Sequence, residues 1–203
     1  MKKILLFALV SVMIFSGCQK IQPTKTIENL KAGIKGETTA SAKYAAFAQK
    51  AADEGQQNIA RLFMAASKAE AIHAANHTKV LESLGAKMEA FTPAFEVKTT
   101  AENLKAAEEG ENYESTKMYP QFIADAKAEK VGKAEKSFTW ANDTEKKHEK
   151  FYASASTALA NATQNTLPAS YVVCPTCGNT YDKNKMDEKC SFCQTKNSKF
   201  ETI

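Results

Sequence analysis

The chain is poor in arginine, in histidine and in long apolar runs, and each shortage removes a class of function. Of its 27 basic residues only Arg61 is an arginine; the lysines are dispersed among 23 acids, and the net charge is +4. No basic block interleaved with aromatics occurs, so no nucleic-acid partner is expected. The one apolar run, Ile4 to Phe15, has twelve residues, and a membrane-spanning helix takes about 20. Histidine occurs three times, as His73, His77 and His148. Of the five cysteines, four fall into two close pairs and leave Cys18 alone.

Lys2 and Lys3, the run to Phe15, and then Ser16-Gly17-Cys18 together resemble a bacterial lipoprotein signal, in which the cysteine after a small residue is lipidated and becomes the new N-terminus. Residues 1–17 would then be the signal and 18–25 a tether. The mature protein would be exported and lipid-anchored at Cys18 rather than spanning the membrane. The alternative is an ordinary secretory signal with an incidental cysteine; the self-contained set of the other four favours lipidation.

What the chain does have is a copy of itself. Residues 28–37 read ENLKAGIKGE and residues 102–111 read ENLKAAEEGE, an offset of 74. Further on the copies align at 75, with Phe63 on Phe138, Ala66 on Ala141, Glu70 on Glu145 and His73 on His148. Apolar residues and alanine at helical spacing predict helices over 26–54, 57–85, 99–128 and 132–161. Asp53-Glu54-Gly55 stops the first helix and Gly85 the second. Two links are very short and make antiparallel hairpins, whereas the middle link, 86–99 with Thr92-Pro93, is a long crossover. One long crossover between two hairpins is the plan of an all-α, ferritin-like four-helix bundle. Pro120 should kink the third helix. Gly36 and Gly110 each precede a Glu inside a helix, which suggests close helix approach there.

Each copy supplies one Glu (Glu37, Glu111) and then a Glu-x-x-His (Glu70 with His73, Glu145 with His148). Residues three apart lie about 60° around a helix and about 4.5 Å along it, so Glu and His at that spacing can share one ion. Two halves facing each other would bring four carboxylates and two imidazoles together, a ligand set for two iron or manganese ions. Without cations, ionising those acids together inside a bundle would be prohibitive. The bland alternative is exposed Glu–Lys helix faces. Glu114, three residues after Glu111 on the same face, is either a fifth carboxylate within reach of the metals or a surface Glu of the EGENYE run. Tyr44 and Tyr119 recur in the two copies, two turns beyond Glu37 and Glu111, where a phenol either hydrogen-bonds a ligating carboxylate or simply packs the core. His77, one turn past His73 with no histidine partner in the second copy, reads as an ordinary helix histidine.

After Asn161 the helical period ends in a polar linker, 162–171, whose first nine residues, ATQNTLPAS, reach at most about 30 Å and would let the tail swing far from the bundle. Residues 172–203 are too few for a core of their own and need a staple. Cys174-x-x-Cys177 and Cys190-x-x-Cys193 provide one: two such knuckles set four thiolates around a tetrahedral ion, iron or zinc. A pair of disulfides is the alternative in an exported protein. Tyr171, Tyr181, Phe192 and Phe200 are expected to shield the site from water.

With both constellations in view, the segments GETTASAKYAAFAQKAADEG, KAEAIH, NLKAAEEGENYESTKMYP, TEKKHE and CPTCG through CSFC resemble the rubrerythrins, a ferritin-like di-iron domain (here 26–161) followed by a rubredoxin-like domain (172–203). The resemblance implies Glu37, Glu70, His73, Glu111, Glu114, Glu145 and His148 as di-iron ligands, with one iron moving between His73 and Glu114 as the pair changes redox state. It implies a third iron on Cys174, Cys177, Cys190 and Cys193. The second knuckle, CSFCQ, lacks the Pro and trailing Gly common in rubredoxins, which keeps zinc open there. The implied activity is peroxidase, reducing hydrogen peroxide to water with electrons relayed through the four-cysteine iron. Subunits are expected to pair head to tail, so that one chain's four-cysteine iron serves another's di-iron site. Such proteins mostly draw on intracellular reduced pyridine nucleotide, so an exported one needs another, unknown electron donor. Two other classes remain: an iron-oxidising, iron-storing ferritin-like protein, which gives the cysteines no task, and a zinc ribbon on an inert bundle acting as a binding module.

Overall fold

The structure is a computed structural model that describes residues 22–203. The signal-like segment and Cys18 lie outside the described residues. Among those described, no helix is long and apolar enough to cross a membrane.

Helices α1 (Thr24–Asp53) and α2 (Gln57–Ser83) form the first hairpin, turning at Gly55 with φ +77°. After the crossover, α3 (Thr100–Tyr113), a π-helical turn (Glu114–Met118) and α4 (Tyr119–Ala128) run as one rod, and α5 (Gly132–Ala160) completes the bundle. Thr99 and Glu102 close a capping box at the start of α3. The helix expected as a single element over 99–128 is therefore interrupted, by a widened turn rather than a simple proline kink. Pro120 has no N–H to give, and it falls at the first positions of α4, where none is required. The Tyr119 N–H reaches back to the Glu114 carbonyl, five residues away. A π turn inserts one residue into a helix. That residue is where the repeat's offset passes from 74, Glu37 to Glu111, to 75, Tyr44 to Tyr119.

The duplication reappears at the helix ends. Glu54 accepts from the Thr100 N–H at 3.0 Å, and its repeat counterpart Glu129 accepts from the Thr26 N–H at 2.7 Å. Each carboxylate satisfies an orphan donor at the N-terminus of the other hairpin. Two aromatic plugs fill the bundle's halves: Tyr44, Phe47, Phe63 and Tyr152 in one, Tyr119, Phe122, Phe138 and His77 in the other. Their matching pairs are alike, with Phe47–Phe63 centroids at 5.4 Å and Phe122–Phe138 at 5.3 Å.

Strands β1 (Tyr171–Val173), β2 (Thr180–Asp182) and β3 (Glu201–Thr202) form an antiparallel sheet in the order β2-β1-β3, with Val172 opposite Tyr181 and Thr202. This unit packs against the bundle instead of standing away from it. Tyr171 and Val173 are buried in one apolar cluster with Phe63 and Tyr152 of the bundle, and Phe151 meets Tyr171 edge-on at 5.5 Å. Linker length set an upper limit on reach; burial of apolar side chains at the strand's inner face decides the position. Tyr171 therefore joins the bundle core instead of shielding the cysteines, which are packed by Trp140, Phe192 and Phe200.

Candidate metal centre

Glu37 projects from α1, Glu70 and His73 from α2, Glu111 from α3, and Glu145 and His148 from α5. All six are buried, none above 1% exposed. They fall into two sets of donor atoms, each within 4.8 Å: Glu37, Glu70, His73 and Glu145, and Glu70, Glu111, Glu145 and His148. Glu70 and Glu145 belong to both. Glu70 turns Oε2 to His73 Nδ1 at 2.9 Å and Oε1 to His148 Nδ1 at 3.1 Å. Glu145 does the same, with Oε1 3.1 Å from His73 and Oε2 3.2 Å from His148. Of these two imidazoles Glu37 lies near only His73, at 3.7 Å, and Glu111 near only His148, at 3.6 Å; Glu37 also has His77 Nε2 at 3.9 Å. The pseudo-twofold pattern is two terminal carboxylates, two shared carboxylates and two imidazoles.

Both imidazoles are oriented from behind by the cysteine unit. His73 Nε2 donates to the Cys177 carbonyl at 3.1 Å. His148 Nε2 donates to Thr180 Oγ1 at 2.9 Å, because that hydroxyl spends its own proton on the Gly178 carbonyl. Each Nδ1 is left facing the carboxylates. Gly178, with φ +82°, must be glycine, since a Cβ there would overlap the His73 ring. Among the described glycines the close approaches fall at Gly178 and at Gly33, where a Cβ would lie 3.0 Å from His77. At Gly36 and Gly110, where the sequence suggested them, a Cβ would make only ordinary contact.

The tyrosines act across the hairpins. Tyr44 donates to Glu111 at 2.8 Å, and Tyr119 donates to Glu37. Each phenol thus holds the other copy's terminal carboxylate, and each also packs in an aromatic plug. Glu114 is partly buried beside Gly36 and stands outside both donor sets. His77, read from sequence as an ordinary helix histidine, is buried and bonded on both sides, to Ser137 Oγ at 2.7 Å and to Tyr119 Oη at 3.1 Å. Sequence reasoning also missed Ser137 and Thr180, which carry no local signature. Burial, then His73, hold the His77 ring down at about 3, so it is neutral.

Burial, then Glu145 and Glu70, push Glu37 well above the carboxylate range. Burial, then Glu70, push Glu111 up to about 8. Glu114 is raised by burial and then Glu37. Burial also opposes charge on Glu70, but His148 and His73 outweigh it and hold it down at about 2. Burial would lower both imidazoles; Glu145 beside His73 and Glu70 beside His148 raise them well above their usual range instead. Even so, Glu37 Oε2, Glu70 Oε1, both Glu145 oxygens and His148 Nδ1 have no hydrogen-bond partner. Buried acceptors aimed at one another are costly unless a cation lies between them. The donor chemistry fits two hard or borderline divalent ions.

Cys174, Cys177, Cys190 and Cys193 bring their sulfurs within 4.8 Å of one another and remain unbonded. Cys174–Cys193 and Cys177–Cys190 are 3.5 and 3.4 Å apart; a tetrahedron with metal–sulfur bonds of about 2.3 Å has edges of roughly 3.8 Å. This is a metal site rather than a pair of disulfides. The knuckles repeat: the Gly178 N–H bonds the Cys174 carbonyl and the Gln194 N–H the Cys190 carbonyl, each at 2.9 Å. Gln194 takes φ +63° where the first knuckle has its glycine.

Fold and site together define a ferritin-like bundle with a carboxylate–histidine dinuclear centre and a rubredoxin-like four-cysteine site. A rubrerythrin family profile matches residues 28–156. The chain is 40% identical over 177 residues to nigerythrin of Nitratidesulfovibrio vulgaris, covering 83% of this chain and 81% of that one. It is 31% identical over 185 residues to rubrerythrin-2 of Clostridium acetobutylicum, covering 90% and 99%. A solved mixed-valence structure of nigerythrin superposes with a TM-score of 0.79 at 35% identity, covering 88% of this chain and 86% of that one. The chain belongs to the rubrerythrin family, and it is an oxidoreductase at that level.

Proposed function

We propose that this protein is a di-iron peroxidase that reduces hydrogen peroxide to water and takes its electrons through a four-cysteine iron. The observation that carries this reading is the hydrogen bond from His73 to Cys177, which joins a residue of the dinuclear set directly to a residue of the four-cysteine set. Nigerythrin, similar along most of its length, has been solved in a fully reduced, all-ferrous state.

In this reading Glu37 and His73 would hold one iron and Glu111 and His148 the other, with Glu70 and Glu145 available to both. Four carboxylates neutralise two ferrous ions. The bound iron pair supplies the two electrons that peroxide takes up. The chain's residues do the rest. Tyr44 and Tyr119 fix the terminal carboxylates, the aromatic plugs exclude water, and Cys177 and Thr180 keep both imidazoles in the Nε2–H tautomer. Glu114, beside Gly36, is the carboxylate that would exchange with His73. Its carboxylate would offer an anionic oxygen suited to the harder ferric ion.

The family resemblance leads to a relay between subunits, one chain's four-cysteine iron serving another's dinuclear site; the contact of His73 with Cys177 supports a route within one chain as well. A homodimer or higher homo-oligomer remains part of the reading, as does an unknown electron donor. From Lys2-Lys3, Ile4 to Phe15 and Cys18 we further infer export and lipid anchoring, which leaves the catalytic unit at the surface of a membrane. Metabolic labelling with a radioactive fatty acid should mark the wild type and not Cys18→Ala; a mature form that keeps residues 1–17 would refute the anchor.

The central experiment is anaerobic purification with iron counting and rapid mixing. About three irons per chain, by the ligand count, and re-oxidation much faster by peroxide than by air are expected. Re-oxidation no faster by peroxide than by air would reject the peroxidase reading with the fold intact. Zinc as the only metal would favour a binding module.

A further inference from the structure

The dinuclear set is sealed from solvent, yet splitting peroxide into two waters consumes two protons with the two electrons. The oxygen–oxygen bond breaks, the electrons come from the reduced iron centres, and the protons must come from outside. We propose that Ser137, His77 and Tyr119 form a hydrogen-bonded chain that conducts protons from a surface cavity to Glu37. The proposal rests on the peroxide-reducing reading above.

The donor directions leave one arrangement. Tyr119 O–H donates to Glu37, so its oxygen accepts from His77 Nε2–H at 3.1 Å. His77 Nδ1 is then bare and accepts the Ser137 hydroxyl proton at 2.7 Å. Ser137 lines a solvent-open cavity of about 270 Å³ together with Asn76, Lys79, Lys133, Lys136 and Trp140. A proton entering at Ser137 passes to one ring nitrogen as the other releases its own to Tyr119, and the phenol passes one to Glu37. No member needs to hold a net charge between transfers. Every link is buried, with exposures of 5% at Ser137 and 0% at His77, Tyr119 and Glu37, so water does not compete for the bonds.

The duplication provides an internal control. The counterparts of Gly33, His77 and Ser137 in the other copy are Ala107, Tyr152 and Leu62. There the path is dead: Leu62 has no polar group and is fully buried, and Tyr152 Oη has no hydrogen-bond partner. On the live side Gly33 leaves the space the His77 ring occupies. Three departures from the repeat thus converge on one chain of contacts, although nothing in the packing of a symmetric bundle requires any of them.

The test uses the full-length, iron-loaded protein and the variants Ser137→Ala and His77→Gln, assayed for peroxide turnover in H2O and D2O. Ser137→Ala, a small change that keeps the ring and its packing, is expected to slow turnover at least about tenfold. It should also raise the solvent isotope effect while iron content and absorption spectrum stay unchanged. Nitrogen-15 NMR of the full chain loaded with diamagnetic zinc should show His77 as the Nε2–H tautomer, with its Nδ1 signal shifted in Ser137→Ala. Turnover and isotope effect equal to wild type in both variants, or an Nδ1–H tautomer, would overturn the relay while leaving the peroxidase reading standing. A wild type inert to peroxide overturns both.

Discussion

His73 Nε2 and the carbonyl oxygen of Cys177 lie 3.1 Å apart, so an imidazole of the dinuclear set and a cysteine of the tetrahedral set share one hydrogen bond. The second imidazole, His148, is held by Thr180 of the same unit. The cysteine unit is thus also the part of the protein that aims both histidines.

Thr180→Val should therefore weaken the dinuclear site without touching a ligand. Removing an outer partner of a ligating histidine typically costs 10- to 100-fold in metal affinity. Chelator competition on the iron-loaded protein is expected to show a loss of about that size for one ion of the pair, with the four-cysteine metal retained. Unchanged affinity would mean that the Thr180 hydroxyl does not fix the tautomer.

Shared and terminal carboxylates should differ in stoichiometry. Glu70 faces both imidazoles and Glu37 only one. Metal analysis of Glu70→Ala is expected to show depletion at both positions, whereas Glu37→Ala should retain the ion on the Glu111–His148 side. Equal losses in the two variants would contradict the bridging arrangement.

Metal uptake should release protons. In the metal-free chain, burial holds a proton on Glu37 and on Glu111, the latter up to about 8, and carboxylate neighbours hold one on each imidazole. Cations must displace these protons. Groups raised in the free state bind protons below their raised values, so affinity climbs as pH rises through the Glu111 value of about 8. Calorimetry of ferrous or zinc binding in buffers of different ionisation enthalpy should report net proton release at pH 7; proton-neutral binding would refute the assignment.

Gln194 occupies a left-handed backbone position that Gly178 fills in the other knuckle. A side chain there costs about 1 kcal/mol or more. Gln194→Gly is expected to stabilise the protein by about 1 kcal/mol, read as a higher denaturation midpoint. Gly178→Ala should do the opposite and also disturb the dinuclear centre, because the added methyl meets His73.

Much of this was legible before any fold was known. Glu-x-x-His at positions 70 and 145 needs only helical pitch to place two donors together, and the repeat announces that two such pairs face each other. The offset change between Glu111 and Tyr119 was visible too, although its cause, a π turn ahead of Pro120, was not. Tyr44 and Tyr119 could be read as partners of ligating carboxylates, but not that each serves the opposite hairpin. His77 had no histidine in the second copy to flag it, and its contacts with Ser137 and Tyr119 span 60 and 42 residues.

The sequence by itself determined the donor inventory, the helical hairpins and the two cysteine knuckles, because each depends on residues within a turn or two of one another or on plain repetition. The tertiary structure decided which oxygen meets which nitrogen, that the cysteine unit docks on its own bundle, and that only one copy is wired through histidine to the surface. Those outcomes depend on packing between segments distant along the chain. There the burial of Tyr171 and Val173, one inserted residue and the room left by Gly33 outweigh anything local patterning encodes.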